Sequence, residues 1–234
     1  MPGTALRLVP PRLRATLLVV SAVAGVVLVL LAVRYAGTSS AGRLDRAIDN
    51  RLVLRVGRVH IRLSHDLANL GSASVVVAAS AATAVVMLCL RRWRAAALAV
   101  LAPAVAGGVT ELILKPLVDR TISDGPISGE AFPSGHATGV FSVAFVVSLL
   151  VLGGQLPRLA RSARIVIAAG AILVAVATAF GLVAAAFHYT TDTIGGACVA
   201  WLVVIGVALG LDAVAERLSA RPPSGSPAQQ VLSR

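Results

Sequence analysis

Six long apolar stretches, joined by short connections that carry most of the arginine, constrain this chain more than anything else in it. They are Ala15–Val33, Ser74–Leu90, Ala95–Leu114, Ala137–Gly153, Ile165–Phe187 and Ile194–Leu211. A helix needs about 20 mostly apolar residues to cross roughly 30 Å of hydrocarbon. With no water there, only a helix satisfies its own backbone. The pattern predicts an all-α integral membrane protein built as a six-helix bundle. Charged residues make up 13% of the chain, against roughly 25% in a soluble domain, so a water-facing surface cannot be furnished. A net charge of +11 would suit nucleic acid, but the arginines cluster between apolar runs, as membrane topology demands. Aromatics are only 4%, too few for base-stacking platforms, and no nucleic-acid partner is implied. Cys89 and Cys198 fall inside apolar runs and read as small buried hydrophobes, without disulfide or metal spacing.

The basic clusters set the orientation. Arg7, Arg12 and Arg14 precede the first stretch; Arg91, Arg92 and Arg94 follow the second. Arg158, Arg161 and Arg164 follow the fourth, and Arg217 and Arg221 follow the sixth. All four segments then share one side, which the positive-inside bias makes cytoplasmic, with both termini inside. The expected organisation is a basic cytoplasmic N-terminus over 1–14, a six-span membrane domain over 15–216 with its core at 74–211, and a disordered cytoplasmic tail over 217–234. Ser39-Ser40-Ala41 would pass as a signal-peptide cleavage site, but the 19-residue run before it exceeds the usual apolar region of about 7–15. An uncleaved span is favoured.

Residues 34–70 break the positive-inside pattern. Arg51, Arg55, Arg58, Arg62 and His65 form one helical stripe, and Leu52, Val56, Val59, Leu63, Leu67 and Leu70 an apolar one beside it. The expectation is an extracytoplasmic amphipathic helix between the first two spans, lying in the outer interface. Its arginines either anchor lipid headgroups, the commoner use, or lend positive charge to an anionic substrate.

Two short polar islands interrupt the apolar background: Phe132-Pro133-Ser134-Gly135-His136-Ala137-Thr138-Gly139 and His188-Tyr189-Thr190-Thr191-Asp192. Both fall on the outer face in the expected topology. Ser134 and Gly135 lie just before the fourth helix, where free N–H groups and the helix dipole suit an anion. Alone, such a turn is more often a plain helix cap. His188 and Asp192 are one helical turn apart, so the carboxylate can fix one imidazole nitrogen and leave the other as nucleophile or base. Of the 21 basic residues one is lysine, Lys115, and the rest are arginine. It sits one turn from Glu111 at the outer end of the third stretch, where an anchor could equally have been arginine; a charge at that depth reads as functional. The loop Val118–Pro133 adds Asp119, Arg120, Asp124 and Glu130. Zinc is disfavoured: neither island has a His-x-x-x-His pair or a ligating cysteine.

Lys115, Pro133-Ser134-Gly135-His136 and His188-x-x-x-Asp192, in this order and at these separations, resemble the motifs of the phosphatidic acid phosphatase type 2 / vanadium haloperoxidase superfamily. The flanks Ala137-Thr138-Gly139 and Tyr189–Gly196 are similar to its membrane phosphatase branch, and the likeness spans roughly Ser74 to Leu211. The resemblance implies a phosphohistidine mechanism without metal or other cofactor. His188 would attack phosphorus, Asp192 would orient it, and His136 would protonate the leaving oxygen. Lys115, Ser134 and Gly135 would hold the equatorial oxygens. Two departures stand out. Seven residues after the lysine the family carries Arg-Pro, and here stand Ile122-Ser123; its third motif opens with Ser-Arg, and here stand Gly181 and Leu182. Arg120 is the candidate replacement in the phosphate cradle. The expected activity is a lipid phosphate phosphatase of the cell membrane, acting on a polyprenyl diphosphate or a phosphatidic-acid-like lipid. The alternative is a degenerate relative that binds lipid phosphates with little or no hydrolysis; vanadate-dependent halide oxidation fits the six spans and the flanks less well. Oligomeric state is left open.

Overall fold

A computed structural model describes residues 7–53, 60–122, 129–156 and 158–220. Helices dominate. Helix α1 (Pro11–Tyr35) opens on a proline at its first position, where the missing N–H costs nothing. It is followed by α2 (Arg43–Leu52), α3 (Ile61–Asn69), α4 (Ala73–Cys89), α5 (Trp93–Val109) and, after a π-helical turn at Thr110–Leu114, the single turn α6 (Lys115–Val118). A two-residue antiparallel ladder pairs β1 (Thr121–Ile122) with β2 (Gly129–Glu130). Then come α7 (Gly135–Leu152), α8 (Arg161–Ala184) and α9 (Thr190–Ala220).

Among the described residues five helical segments are long and apolar enough to cross a membrane: α1, Trp93–Val118, α7, α8 and α9. The second expected span differs. Helix α4 is 17 residues long, and it passes the same test only together with α3, from which it is bent by 47°. The single amphipathic helix expected through residues 51–70 is not what the described residues show either. Helix α2 ends at Leu52 and α3 begins at Ile61; Arg55, Val56, Arg58 and Val59 lie outside the described residues. Helix α3 turns Ser64 and Ala68 inward and leaves Leu63 exposed. At the other end α9 continues through Ala220, so residues 217–220 extend the last helix where the tail was expected to start.

Helix α7 is the hub, packed by α5, α8 and α9. Its buried Ala137 and Ala144 pack with Ala175 and Ala200, and its Leu150 packs with Leu98 and Val204. At the end away from the polar islands, Asp212 of α9 is buried and accepts the N–H groups of Leu8 (2.9 Å) and Val9 (3.0 Å) and Nη1 of Arg94 (3.1 Å). Arg7 pairs with Glu216 at 3.1 Å, and its carbonyl accepts Nε2 of Gln155 at 3.0 Å. The arginine-bearing segments before α1 and after α4 therefore meet the C-terminal part of α9, and the segment after α7 joins them through Arg7, at one end of the bundle. The two islands meet at the other.

Candidate active site

Close glycine packing joins the islands. A Cβ on Gly196 would lie 2.7 Å from the Ser134 carbonyl oxygen, and one on Gly195 would lie 2.5 Å from the Phe132 ring. Only glycine allows α9 to come so near the turn that starts α7. The Ser134 N–H then donates to the Asp192 carbonyl at 3.0 Å. Both chain reversals, 132–136 and 188–192, are locked together through backbone.

Ser134 caps α7: its Oγ accepts the Ala137 N–H at 3.3 Å, and the residue is fully buried. Gly135 and His136 follow in the first turn and line a cavity of about 920 Å³. Lys115 and His188 line it as well, with Glu111 and Glu130. The His136 and His188 ring centroids are 6.5 Å apart. Lys115 Nζ donates to Glu111 Oε2 at 2.7 Å. The pair is one helical turn apart, and beside it the Lys115 N–H bonds back five residues to the Thr110 carbonyl, closing the π-helical turn. A Cβ on Gly135 would collide with the Glu111 carboxylate, so that carboxylate rests against the α7 N-terminus. Away from this polar end the cavity wall is largely apolar, mixing Gly107, Gly108 and Gly139 with Val76, Val100 and Phe187.

His188 sits between α8 and α9. Its Nδ1 is buried and stands 3.7 Å from Asp192 Oδ2, longer than a hydrogen bond. Asp192 is fully buried; Oδ2 accepts the Tyr189 N–H at 3.0 Å, a reach-back that caps α9.

The expected cradle residues are distributed unevenly. Lys115 and Gly135 face the cavity, and Ser134 supports it from behind. Arg120, expected on the phosphate, is instead enclosed beneath Asp192 with no exposed surface. Its Nη1 donates to Asp192 Oδ1 (2.6 Å) and Thr191 Oγ1 (2.7 Å), and its Nη2 to Asp45 Oδ2 (2.7 Å). The Ile122 and Leu182 side chains occupy the cavity wall where the resemblance calls for arginines. Gly181 has a packing reason: a Cβ there would lie 2.6 Å from Leu67 Cβ and 2.8 Å from the Ala68 nitrogen and the Ser64 oxygen of α3. Helix α3 crosses α8 at that point and excludes serine.

Reading the sequence missed α2. Asp45 and Asp49 lie one turn apart in α2 and both are buried, and that spacing was the available signal. Asp45 is fully buried and accepts the N–H groups of Thr191 and Gly42, both at 3.0 Å. Burial alone would raise its pKa, but the Arg120 guanidinium and these N–H groups outweigh it and hold the carboxyl below its ordinary value. Asp49 takes the Thr190 hydroxyl at 2.6 Å. Burial, reinforced by Asp45, pushes it up to about 6. Among the described residues no three His, Cys, Asp or Glu side chains are grouped to hold a metal ion.

Residues 113–214 match the family model described as the PAP2 superfamily. That segment is a PAP2-superfamily domain. It runs from the π-helical turn to the last helix and contains every residue singled out for chemistry, while Asp45 and the rest of α2 lie before it. The fold is similar to that of a transmembrane PAP2-type phosphatidylglycerolphosphate phosphatase from Bacillus subtilis. The two share 22% identity at a TM-score of 0.65, over 82% of this chain and 96% of the other. No curated protein matches significantly. With a PAP2 fold and several spanning-length apolar helices, the chain is a multi-pass membrane protein.

Proposed function

We propose that this protein is a membrane lipid phosphatase, releasing phosphate from a lipid phosphomonoester or diphosphate through a phosphohistidine intermediate. One observation carries the reading: Lys115, His136 and His188 converge on the polar end of a single cavity whose remaining wall is apolar. Such a cavity fits a phosphate at one end and a hydrocarbon chain along the rest. A polyprenyl diphosphate and a phosphatidic-acid-like lipid both have that shape.

In this mechanism the Nε2 lone pair of His188 forms a bond to phosphorus while the bond to the lipid oxygen breaks. His136 gives its proton to that oxygen. Lys115 and the N–H groups of the first α7 turn hold the equatorial oxygens, where charge concentrates in the transition state. Asp192, as the carboxylate, accepts a hydrogen bond from Nδ1–H, which keeps its proton, and balances the positive charge of the phosphorylated ring. Water, losing a proton to His136, then attacks phosphorus; the P–N bond breaks, its electrons return to His188, and inorganic phosphate leaves. No step calls for a metal. The ring separation of 6.5 Å leaves room for one tetrahedral group between the two imidazoles. With α3 and α4 counted as one crossing, the bundle has six. The arginine-bearing end is then cytoplasmic and the cavity opens at the extracytoplasmic face, with α2 and α3 beside it.

A second reading, a lipid-phosphate binder with little turnover, is favoured by Ile122 and Leu182 in the cavity wall and by the Glu111 carboxylate on Lys115. The same experiment separates them. Purified protein in detergent should release phosphate from phosphatidic acid or undecaprenyl diphosphate without added metal, be inhibited by orthovanadate, and fall to background as His188→Ala. Lipid-phosphate binding with equal, background release by both proteins would establish the binder. Release that survives His188→Ala would remove the phosphohistidine step.

A further inference from the structure

The most completely built polar cluster outside the cavity lies directly beneath it, centred on Arg120. We propose that Arg120 and Asp45 are positioning residues: together they fix the Asp192 carboxylate, and through it the tautomer and direction of the His188 ring. The inference rests on the phosphatase reading and gives that site a support contributed by α2, outside the PAP2 segment.

The geometry is that of a clamp. The guanidinium is planar and presents its N–H groups in a fixed fork. One arm holds Asp192 Oδ1, 72 residues away, and the other holds Asp45 Oδ2, 75 residues away. The Tyr35 and Tyr189 rings stack on it, with the guanidinium carbon 4.0 and 4.5 Å from their centroids. Asp45 reaches past the arginine to the Thr191 N–H and also takes the Thr191 hydroxyl, at 3.1 Å. The first turn of α9 is thus tied to α2 at several atoms. Two backbone bonds brace the same corner: Gly37 N–H to the Val118 carbonyl (2.8 Å) and Thr121 N–H to the Thr38 carbonyl (3.1 Å). With Oδ1 held by Arg120 and Oδ2 by the Tyr189 N–H, the Asp192 carboxylate cannot rotate, and its Oδ2 stays aimed at His188 Nδ1.

Charge points the same way. Arg120 alone beside Asp192 would neutralise it and spoil it as a partner for a ring that becomes positive on phosphorylation. Asp45 takes half of the guanidinium, so the trio keeps one net negative charge facing His188. As a purely stabilising device the arrangement would be a poor choice, since a buried ion triad rarely outperforms well-packed apolar side chains. Nor can Arg120 serve as the missing phosphate ligand, because the wall position belongs to Ile122, two residues on in β1.

The test uses the full chain in detergent, with Asp45→Asn, Arg120→Lys and the double variant, each checked for folding by circular dichroism and size exclusion. Steady-state phosphate release from phosphatidic acid should show kcat down by about tenfold or more in each single variant, with KM within about twofold, because a tilted His188 loses reaction geometry, not substrate binding. Lysine keeps the charge but lacks the rigid planar fork that holds both carboxylates in fixed directions, and the double variant should be no worse than the poorer single one. In ¹⁵N-histidine NMR of ligand-free protein, assigned with His188→Gln, wild-type His188 should be mainly the Nδ1–H tautomer and the variants a mixture. A raised KM with kcat preserved in Arg120→Lys, or an unchanged tautomer ratio in both single variants, would overturn the proposal. If Arg120→Lys does not fold, the nearly isosteric Asp45→Asn decides alone by the same two readouts. If wild type releases no phosphate, the phosphatase reading fails while the tautomer measurement still decides this one.

Discussion

Substituting Gly196 by alanine tests whether the two histidines depend on the contact between α9 and the start of α7. The added Cβ would lie 2.7 Å from the Ser134 carbonyl oxygen and 3.0 Å from both the Thr138 nitrogen and Ala137 Cβ. Ordinary contact begins near 3.4 Å, so the helices must separate by about 0.7 Å. Most of what the methyl meets is backbone at the head of a packed helix, and no side-chain rotation relieves it. Overpacking of this kind costs about 1–3 kcal/mol, which in a domain of this size lowers Tm by several degrees at about 2–4 °C per kcal/mol. The larger effect falls on rate. Separation stretches the 3.0 Å bond from Ser134 N–H to the Asp192 carbonyl and moves His188 from His136, and misplacement on the order of 1 Å can cost about a hundredfold. The assay is kcat for phosphate release alongside thermal unfolding in the same detergent. Gly206→Ala is the control: it lies in the same helix with nothing within 4 Å of its Cβ, and should be neutral or stabilising by up to about 1 kcal/mol. If Gly196→Ala keeps kcat within about twofold of wild type, or if Gly206→Ala is equally impaired, the close approach does not hold the site together.

Three further outcomes are expected. Asp49 has a folded pKa raised from 3.8 to about 6, so the folded protein binds more protons than the unfolded one in that interval and stability falls as pH rises through it. Asp49→Asn should therefore be more stable than wild type above about pH 6, by up to roughly 3 kcal/mol, with the difference vanishing below about pH 4; parallel unfolding curves across pH check it. Asp212→Ala strips the acceptor from two buried N–H groups and from Arg94, and should cost about 3–5 kcal/mol in unfolding experiments while leaving kcat at low temperature near wild type, since the cluster is at the far end of the bundle. Ile122→Arg puts a cation back on the cavity wall. If a thin cradle limits the reaction, phosphate release should rise by about tenfold or more; an unchanged or lower rate would show that the site does not lack charge at that position.

How much of this could be read from residues alone follows from how local each determinant is. Spanning helices depend on length and hydropathy of contiguous residues, so α1, α7, α8 and α9 appear close to where the apolar runs lie. The bend between α3 and α4, and the π-helical turn at Thr110–Leu114, have no comparable contiguous signal. The islands were legible because serine, histidine and aspartate stand out against alanine and valine. That Gly195 and Gly196 dock one island on the other follows only from the packed helices.

Arg120 marks the boundary most clearly. Sequence order puts it five residues after Lys115, near the vacant family position, and proximity along the chain suggested the phosphate. Its partners Asp45 and Asp192 are 75 and 72 residues away, and a residue's nearest charge in space cannot be inferred from its nearest charge in sequence. The chain by itself determined a membrane-embedded helical protein and the chemical types at its polar end. Which of those groups face the cavity, and which lie beneath it holding the others still, was decided by the packing of α2 and α9, because burial and charge pairing are properties of the assembled helices.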